Sequence, residues 1–278
     1  MTPIRRSAGA LLGLLCGALS GCALVDAGID GPVNNDAMPP CQGLSCQVDR
    51  CPAGQETRVR GVVTVPNGRD PLRQAVVYVP QSGALTPISP ELRCELCSDP
   101  IAGRAVTFAY SGADGRFELR GVPSGNTVPI VVQKGRFRRL FQARVSPCAV
   151  NELPADAVHL SRSQAEGELP KMAVAAGDHD AIECVLSHVG VSLSEFTTPE
   201  RGGAVHLYDN QKPGTPTLPG QLSIASLLRE RARLLRYQLV FLNCSGIAYS
   251  EGLLKEPAVR ANLIEFLSRG GRLYGAGL

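Results

Sequence analysis

A change of hydrophobic period near residue 160 limits what this chain can fold into more than any other feature. Up to that point apolar residues recur every second position. Val59, Val63 and Val65 face one way while Arg58, Arg60 and Thr64 mostly face the other, the pattern of a strand with one buried face. Further strands are predicted at 75–79, 104–110, 116–119, 127–133 and 140–145. The turn chemistry between them is Pro66-Asn67-Gly68, Gly112-Ala113-Asp114-Gly115 and Pro123-Ser124-Gly125-Asn126. Short strands at this spacing predict an all-β sandwich over 58–160. Beyond a polar hinge at 161–167 the pattern becomes strand, helix, strand. Strands are expected at 172–176, 205–208, 238–243 and 272–274, with helices at 180–189, 224–235 and 258–268. That alternation requires a parallel sheet covered on both faces, so 168–278 reads as an α/β domain and the whole chain as multidomain.

The N-terminus reads as an export signal. Arg5 and Arg6 precede an apolar run over 8–19 that is too short to span a bilayer. The run ends in Leu19-Ser20-Gly21-Cys22, which resembles the lipobox of bacterial lipoproteins. The resemblance implies a signal peptide over 1–21, cleavage before Cys22 and acylation of Cys22, so that the membrane is a partner through the lipid anchor. Each buried methylene of such chains adds roughly 0.8 kcal/mol, and several chains make a durable tether. Ala23 stands where Asp would direct inner-membrane retention, which implies an outer-membrane lipoprotein. The alternatives are an ordinary secretory signal with a chance cysteine, or an uncut anchor.

Charge and composition exclude some partners. A balance of 28 Lys and Arg against 25 Asp and Glu leaves a net +3, too little to imply nucleic acid. The absence of Trp and 5% aromatic content argue against a base- or sugar-stacking platform. Once Cys16 leaves with the signal and Cys22 is lipidated, Cys41, Cys46, Cys51, Cys94, Cys97, Cys148, Cys184 and Cys244 remain. This even set predicts disulfides in an oxidising compartment. Residues 22–57 lack apolar period and read as a stalk, with Cys41, Cys46 and Cys51 as a collar. Their equal spacing does not match a zinc knuckle. With three collar cysteines and Cys94, Cys97 and Cys148 in the sandwich, at least one bridge must run from collar to sandwich.

Three segments within 61–125 carry a more specific likeness: Gly61-Val-Val-x-x-Pro-x-Gly68, Pro71-Leu72-x-x-Ala75-Val-Val-x-Val79 and Asp114-Gly115-x-Phe117-x-Leu119-x-Gly121-Val-Pro-x-Gly125. Together they resemble the carboxypeptidase regulatory-like domain. That family implies a transthyretin-like sandwich with no chemistry of its own. The insertion at 81–100, holding Cys94-x-x-Cys97, departs from the family pattern. Lys134, Arg136, Arg138, Arg139 and Arg144 form a concentrated basic run. It could face lipid phosphates or acidic polysaccharide, but a solvated hairpin guarding an edge strand is the expectation.

The segment Tyr237-Gln-Leu-Val-Phe-Leu-Asn243 and the later Gly270-Gly271-Arg-Leu-Tyr274 resemble the flavodoxin-like fold of the class I glutamine amidotransferase-like group. The module looks truncated, since the strand at 272–274 has no helix after it. Combined with lipobox, collar and regulatory-like domain, it resembles surface lipoproteins of the myxobacterial type. An amidotransferase-like nucleophile would sit after that last strand, where Gly275-Ala276-Gly277 stands instead. Cys244 lacks the glycine of a nucleophile elbow. Asp178-His179-Asp180 follows the first strand, at the sheet edge where α/β folds bind ligands, but Asp180 with Glu183 also fits a helix cap. Asp209 and Asn243 are expected as neighbours across that edge.

Two function classes follow. The first is a noncatalytic envelope lipoprotein for display, adhesion or ligand binding, with envelope polysaccharide or another surface protein as candidate partner. The second is a surface hydrolase or amidotransferase-like enzyme using Cys244 or Asp178, His179 and Asp180. No cofactor or metal is expected. Cys184 and Cys244 are expected to pair, because adjacent parallel strands would bring them near disulfide reach.

Overall fold

Alternation in the first half builds seven strands: β1 (Arg58–Val62), β2 (Val76–Pro80), β3 (Ala105–Tyr110), β4 (Arg116–Arg120), β5 (Gly125–Lys134), β6 (Phe137–Val145) and β7 (Val150–Glu152). The computed structural model describes residues 41–94, 101, 104–176, 180–210, 220–244 and 252–276. The signal and Cys22, Cys97, Asp178 and His179 lie outside the described residues.

One sheet has the order β4-β1-β7 and the other β3-β2-β5-β6. In the first, β1 runs antiparallel to β4, with Val59 opposite Leu119, and parallel to β7. Val59 and Leu119 share a core with Val77, Val79, Ile130, Val132 and Val145 of the second sheet. The two sheets therefore close on one apolar layer, where each fully buried side chain of this size contributes roughly 1.5–3 kcal/mol. Tyr78 and Val131, on the opposite face of the second sheet, are also fully buried. That is why β2 and β5 read as near-continuous apolar runs. Gly115 shows the turn chemistry at work. Its amide reaches the Gly112 carbonyl at 3.1 Å with φ +75°, and a Cβ there would lie 2.5 Å from the Val63 carbonyl oxygen.

The second half builds β8 (Met172–Ala176), α1 (Ile182–Val189), β9 (Phe196–Thr197), β10 (Val205–Asp209), α2 (Ile224–Arg229), α3 (Arg231–Leu234), β11 (Leu239–Leu242), α4 (Pro257–Ser268) and β12 (Arg272–Gly275). The strands lie in the order β12-β11-β8-β10-β9, and every pairing is parallel. Successive side chains point to opposite faces. Ala173, Ala175, Tyr208, Val240 and Leu242 pack with Leu227, Val259 and Phe266 of α2 and α4. Met172, Val174 and Val205 pack with Ile182 and Leu186 of α1 on the other side. The protein is thus an all-β lobe followed by an α/β lobe with a parallel sheet.

Elements departed from expectation in three places. The helix expected at 224–235 is two helices, broken at Glu230, whose backbone is extended (φ −96°, ψ 96°). Strands β7 and β9 had no sequence signal, being three and two residues long. The polar stretch expected as a hinge is a packed seam. Arg138 and Glu168 exchange backbone hydrogen bonds at 3.0 and 2.8 Å, the buried Ser161 hydroxyl donates to the Arg138 carbonyl at 2.9 Å, and Phe137 packs into the cores of both lobes. Gly167 allows this approach, since a Cβ there would sit 2.4 Å from the Arg138 carbonyl oxygen. Residues 41–278 accordingly form a single compact unit.

Candidate functional site

Parallel sheets present their ligands at the carboxyl edge, so the loop ends after β8, β10 and β11 come first. Asp180 does not cap α1. The helix starts one residue later, with Ala181 at its N-cap and no side-chain cap. The Asp180 carboxylate reaches instead to the end of β11 and accepts the Cys244 amide at 2.9 Å. Asp209 and Asn243 are not on neighbouring strands, because β8 stands between β10 and β11. Among the described residues no group of three or more His, Cys, Asp or Glu could hold a metal ion.

The cysteines divide by lobe. Cys41 bridges Cys46 around a short 3-10 turn (Gly43–Gln47), and Cys51 bridges Cys148, so one collar cysteine is tied to the β lobe. Cys94, Cys184 and Cys244 are free thiols. The expected Cys184–Cys244 bridge is therefore absent, although β8 and β11 are adjacent as required. The reason is helical phase. Ile182 and Leu186 hold the buried face of α1, and Cys184 lies about 200° around the helix from Ile182, on the solvent side. Cys94 sits elsewhere, its thiol directed at the Ser268 carbonyl at 3.7 Å.

Lys134, Arg136, Arg138 and Arg139 prove to be structural glue and not a solvated hairpin, while Arg144 is exposed. Arg138 is 2% exposed and Arg136 is 8% exposed. The Arg136 guanidinium binds the carbonyls of Ser89 and Glu91, and Arg138 binds the Glu168 carboxylate and the Thr86 carbonyl. Lys134 donates to the carbonyls of Arg73 and Gln74 at 3.2 and 2.9 Å. Arg139 donates to the Ala157 carbonyl and lies 5.5 Å above the Phe141 ring. The 86–94 part of the insertion is thereby bound as a strap. Its far end crosses to the α/β lobe, where Gln238 donates to the Pro90 carbonyl at 2.8 Å and Leu92 joins the helical core. Beneath the strap lies a cavity of about 330 Å³, bounded by Ile88, Pro90, Glu168, Leu169, Lys171 and Arg236.

A second, larger cavity of about 680 Å³ opens on the β lobe between Arg60, Tyr110, Arg116 and Glu118. Its charges are mutually satisfied. Glu118 takes Arg60 at 2.5 Å and Arg120 at 2.7 Å, and the Arg60 contact foremost holds its carboxyl below the usual range. Beside it, Phe108 and Tyr110 are 55% and 57% exposed and meet edge to face with centroids 6.0 Å apart.

Inside the α/β lobe a polar chain is buried that sequence reading missed. The Tyr237 hydroxyl lies 2.7 Å from His206 Nδ1 and 2.8 Å from the Tyr208 hydroxyl, and all three residues are fully buried. Burial first, and then the positive charge of Lys171, lower the His206 pKa to about 4, so the ring is neutral. Burial also raises both tyrosines above the ordinary phenol range. His159 and His188 take no part in this chain, each bonding a nearby backbone carbonyl. The signal for the chain was the alternation of His206 and Tyr208 on one strand, which without the fold is indistinguishable from a polar outer face.

Fold and sites together define a disulfide-containing β plus α/β protein. No family model matches this chain, and neither does any curated protein. Among solved structures it is similar to the dioxygenase domain of a dioxygenase and carbohydrate-binding protein fusion from the cellulolytic bacterium Streptomyces sp. SirexAA-E. The two are 23% identical over 41% of this chain and 69% of that one, with a TM-score of 0.17.

Proposed function

We propose that the chain is a cell-envelope lipoprotein of the outer membrane, tethered through Cys22. Its transthyretin-like β-sandwich and flavodoxin-like α/β lobe form a noncatalytic unit for surface display, adhesion or ligand binding. The observation that carries this reading is the placement of the two disulfides. Cys41–Cys46 lies within the stalk that follows the lipobox, and Cys51–Cys148 ties the end of that stalk to the β lobe. Disulfides persist outside the reducing cytosol, and a bridge at this point ties an acylated N-terminus to the folded body. Envelope polysaccharide or another surface protein is the candidate partner of this proposal. Metabolic labelling with a tagged fatty acid tests the reading. Label should enter the wild type, and Cys22→Ser should abolish both label and membrane retention. An unlabelled, freely released wild-type protein would sink it.

A further inference from the structure

The cavity beneath the strap is lined by two cations, Lys171 and Arg236, that are not paired with the one carboxylate in its wall, Glu168. Arg236 is exposed and Lys171 half-buried, and no ion pair or side-chain hydrogen bond joins either of them to another described residue. Each repels the other, and burial together with Arg236 lowers the Lys171 ammonium pKa. The surrounding groups are already committed. Glu168, a carboxylate in the wall, accepts the Ile88 amide at 2.6 Å on one oxygen and Arg138 on the other. Gln238 is held at both ends, accepting the Lys171 amide at 2.6 Å and donating to Pro90. Arg136 is clamped on strap carbonyls. The wall is thus fixed, while two uncommitted like charges line its space.

We propose that this cavity binds a small phosphate monoester on a sugar-sized body, with Lys171 and Arg236 on the phosphate. A doubly charged oxyanion neutralises both cations, and the planar guanidinium fork matches two of its oxygens. A volume of about 330 Å³ lies at the small end of ligand pockets and limits the body to a single ring or so. Ile88, Pro90 and Leu169 supply an apolar wall for that ring. His206 is within electrostatic reach of both cations, so a bound dianion raises its pKa and gives a readout independent of affinity.

Titration calorimetry of the purified full chain with inorganic phosphate, glucose 6-phosphate and glucose tests the assignment. Either phosphate should bind and glucose should not. Lys171→Met and Arg236→Gln should each weaken binding about tenfold or more, as expected for loss of a charge-assisted contact. Arg69→Gln, which removes an exposed charge elsewhere, should leave it unchanged. The His206 ring signal should titrate at higher pH with phosphate present. No binding of either phosphate, equal losses in all three variants, or an unmoved His206 would overturn the proposal.

Discussion

The two lobes solve the same problem, holding a modest core together, by different means. The β lobe is closed covalently, with Cys51–Cys148 spanning 97 residues and arginine side chains clamping the strap over its sheet. The α/β lobe has no disulfide among the described residues, and its two cysteines there are free. Its interior carries the His206–Tyr237–Tyr208 chain instead. A covalent closure responds to reductant and hardly to pH, whereas a buried neutral imidazole responds to pH and not to reductant. The comparison predicts that one molecule carries two separable sensitivities.

The largest effect that could break this contrast is on the long bridge. Closing a loop of 97 residues stabilises by about 4–5 kcal/mol in the chain-entropy model. Cys51→Ser with Cys148→Ser should lower unfolding stability by about that amount in a denaturant titration. A loss below about 1 kcal/mol would mean that the arginine clamps alone close the lobe.

Next in size is the pH response. His206 titrates at about 4 when folded and near 6.5 when unfolded. Its contribution is therefore complete above pH 6.5 and is lost as pH falls from 6.5 through 4, because the unfolded chain takes up the proton first. The loss is about 3 kcal/mol. Burial also lowers the pKa of His159 in the β lobe, so that lobe contributes to the pH response as well. Stability at pH 7.5 and 4.5 should fall less for His206→Leu than for wild type, and equal slopes would contradict the neutral-imidazole reading. The smallest effect belongs to Cys41–Cys46, which closes only five residues. Its removal should cost about 2 kcal/mol at most, measurable as a shift in the same titration that leaves the pH response intact.

How much of this was legible in the sequence depended on whether the relevant partner lies nearby in the chain. Strand periods and the βα alternation are local, and the expected strands at 75–79, 116–119, 172–176 and 272–274 fall within a residue of those observed. The basic run misled because its acceptors are distant. Arg138 meets Glu168 30 residues on and Thr86 52 residues back, and carbonyl acceptors leave no trace in side-chain chemistry. Asp180 matched a capping spacing, yet a one-residue shift in the helix start sent its carboxylate to Cys244. The expected Cys184–Cys244 bridge took adjacency of β8 and β11 as its condition, and they are adjacent, but helical phase, not strand adjacency, decided where Cys184 pointed.

Mapping the cysteines of exported protein tests the contrast between the lobes most directly. The protein would be alkylated without reductant, digested and analysed by mass spectrometry. The account predicts linked peptides for Cys51 with Cys148 and Cys41 with Cys46, and alkylated Cys184 and Cys244. A Cys184–Cys244 linked peptide, or alkylated Cys51 and Cys148, would contradict it.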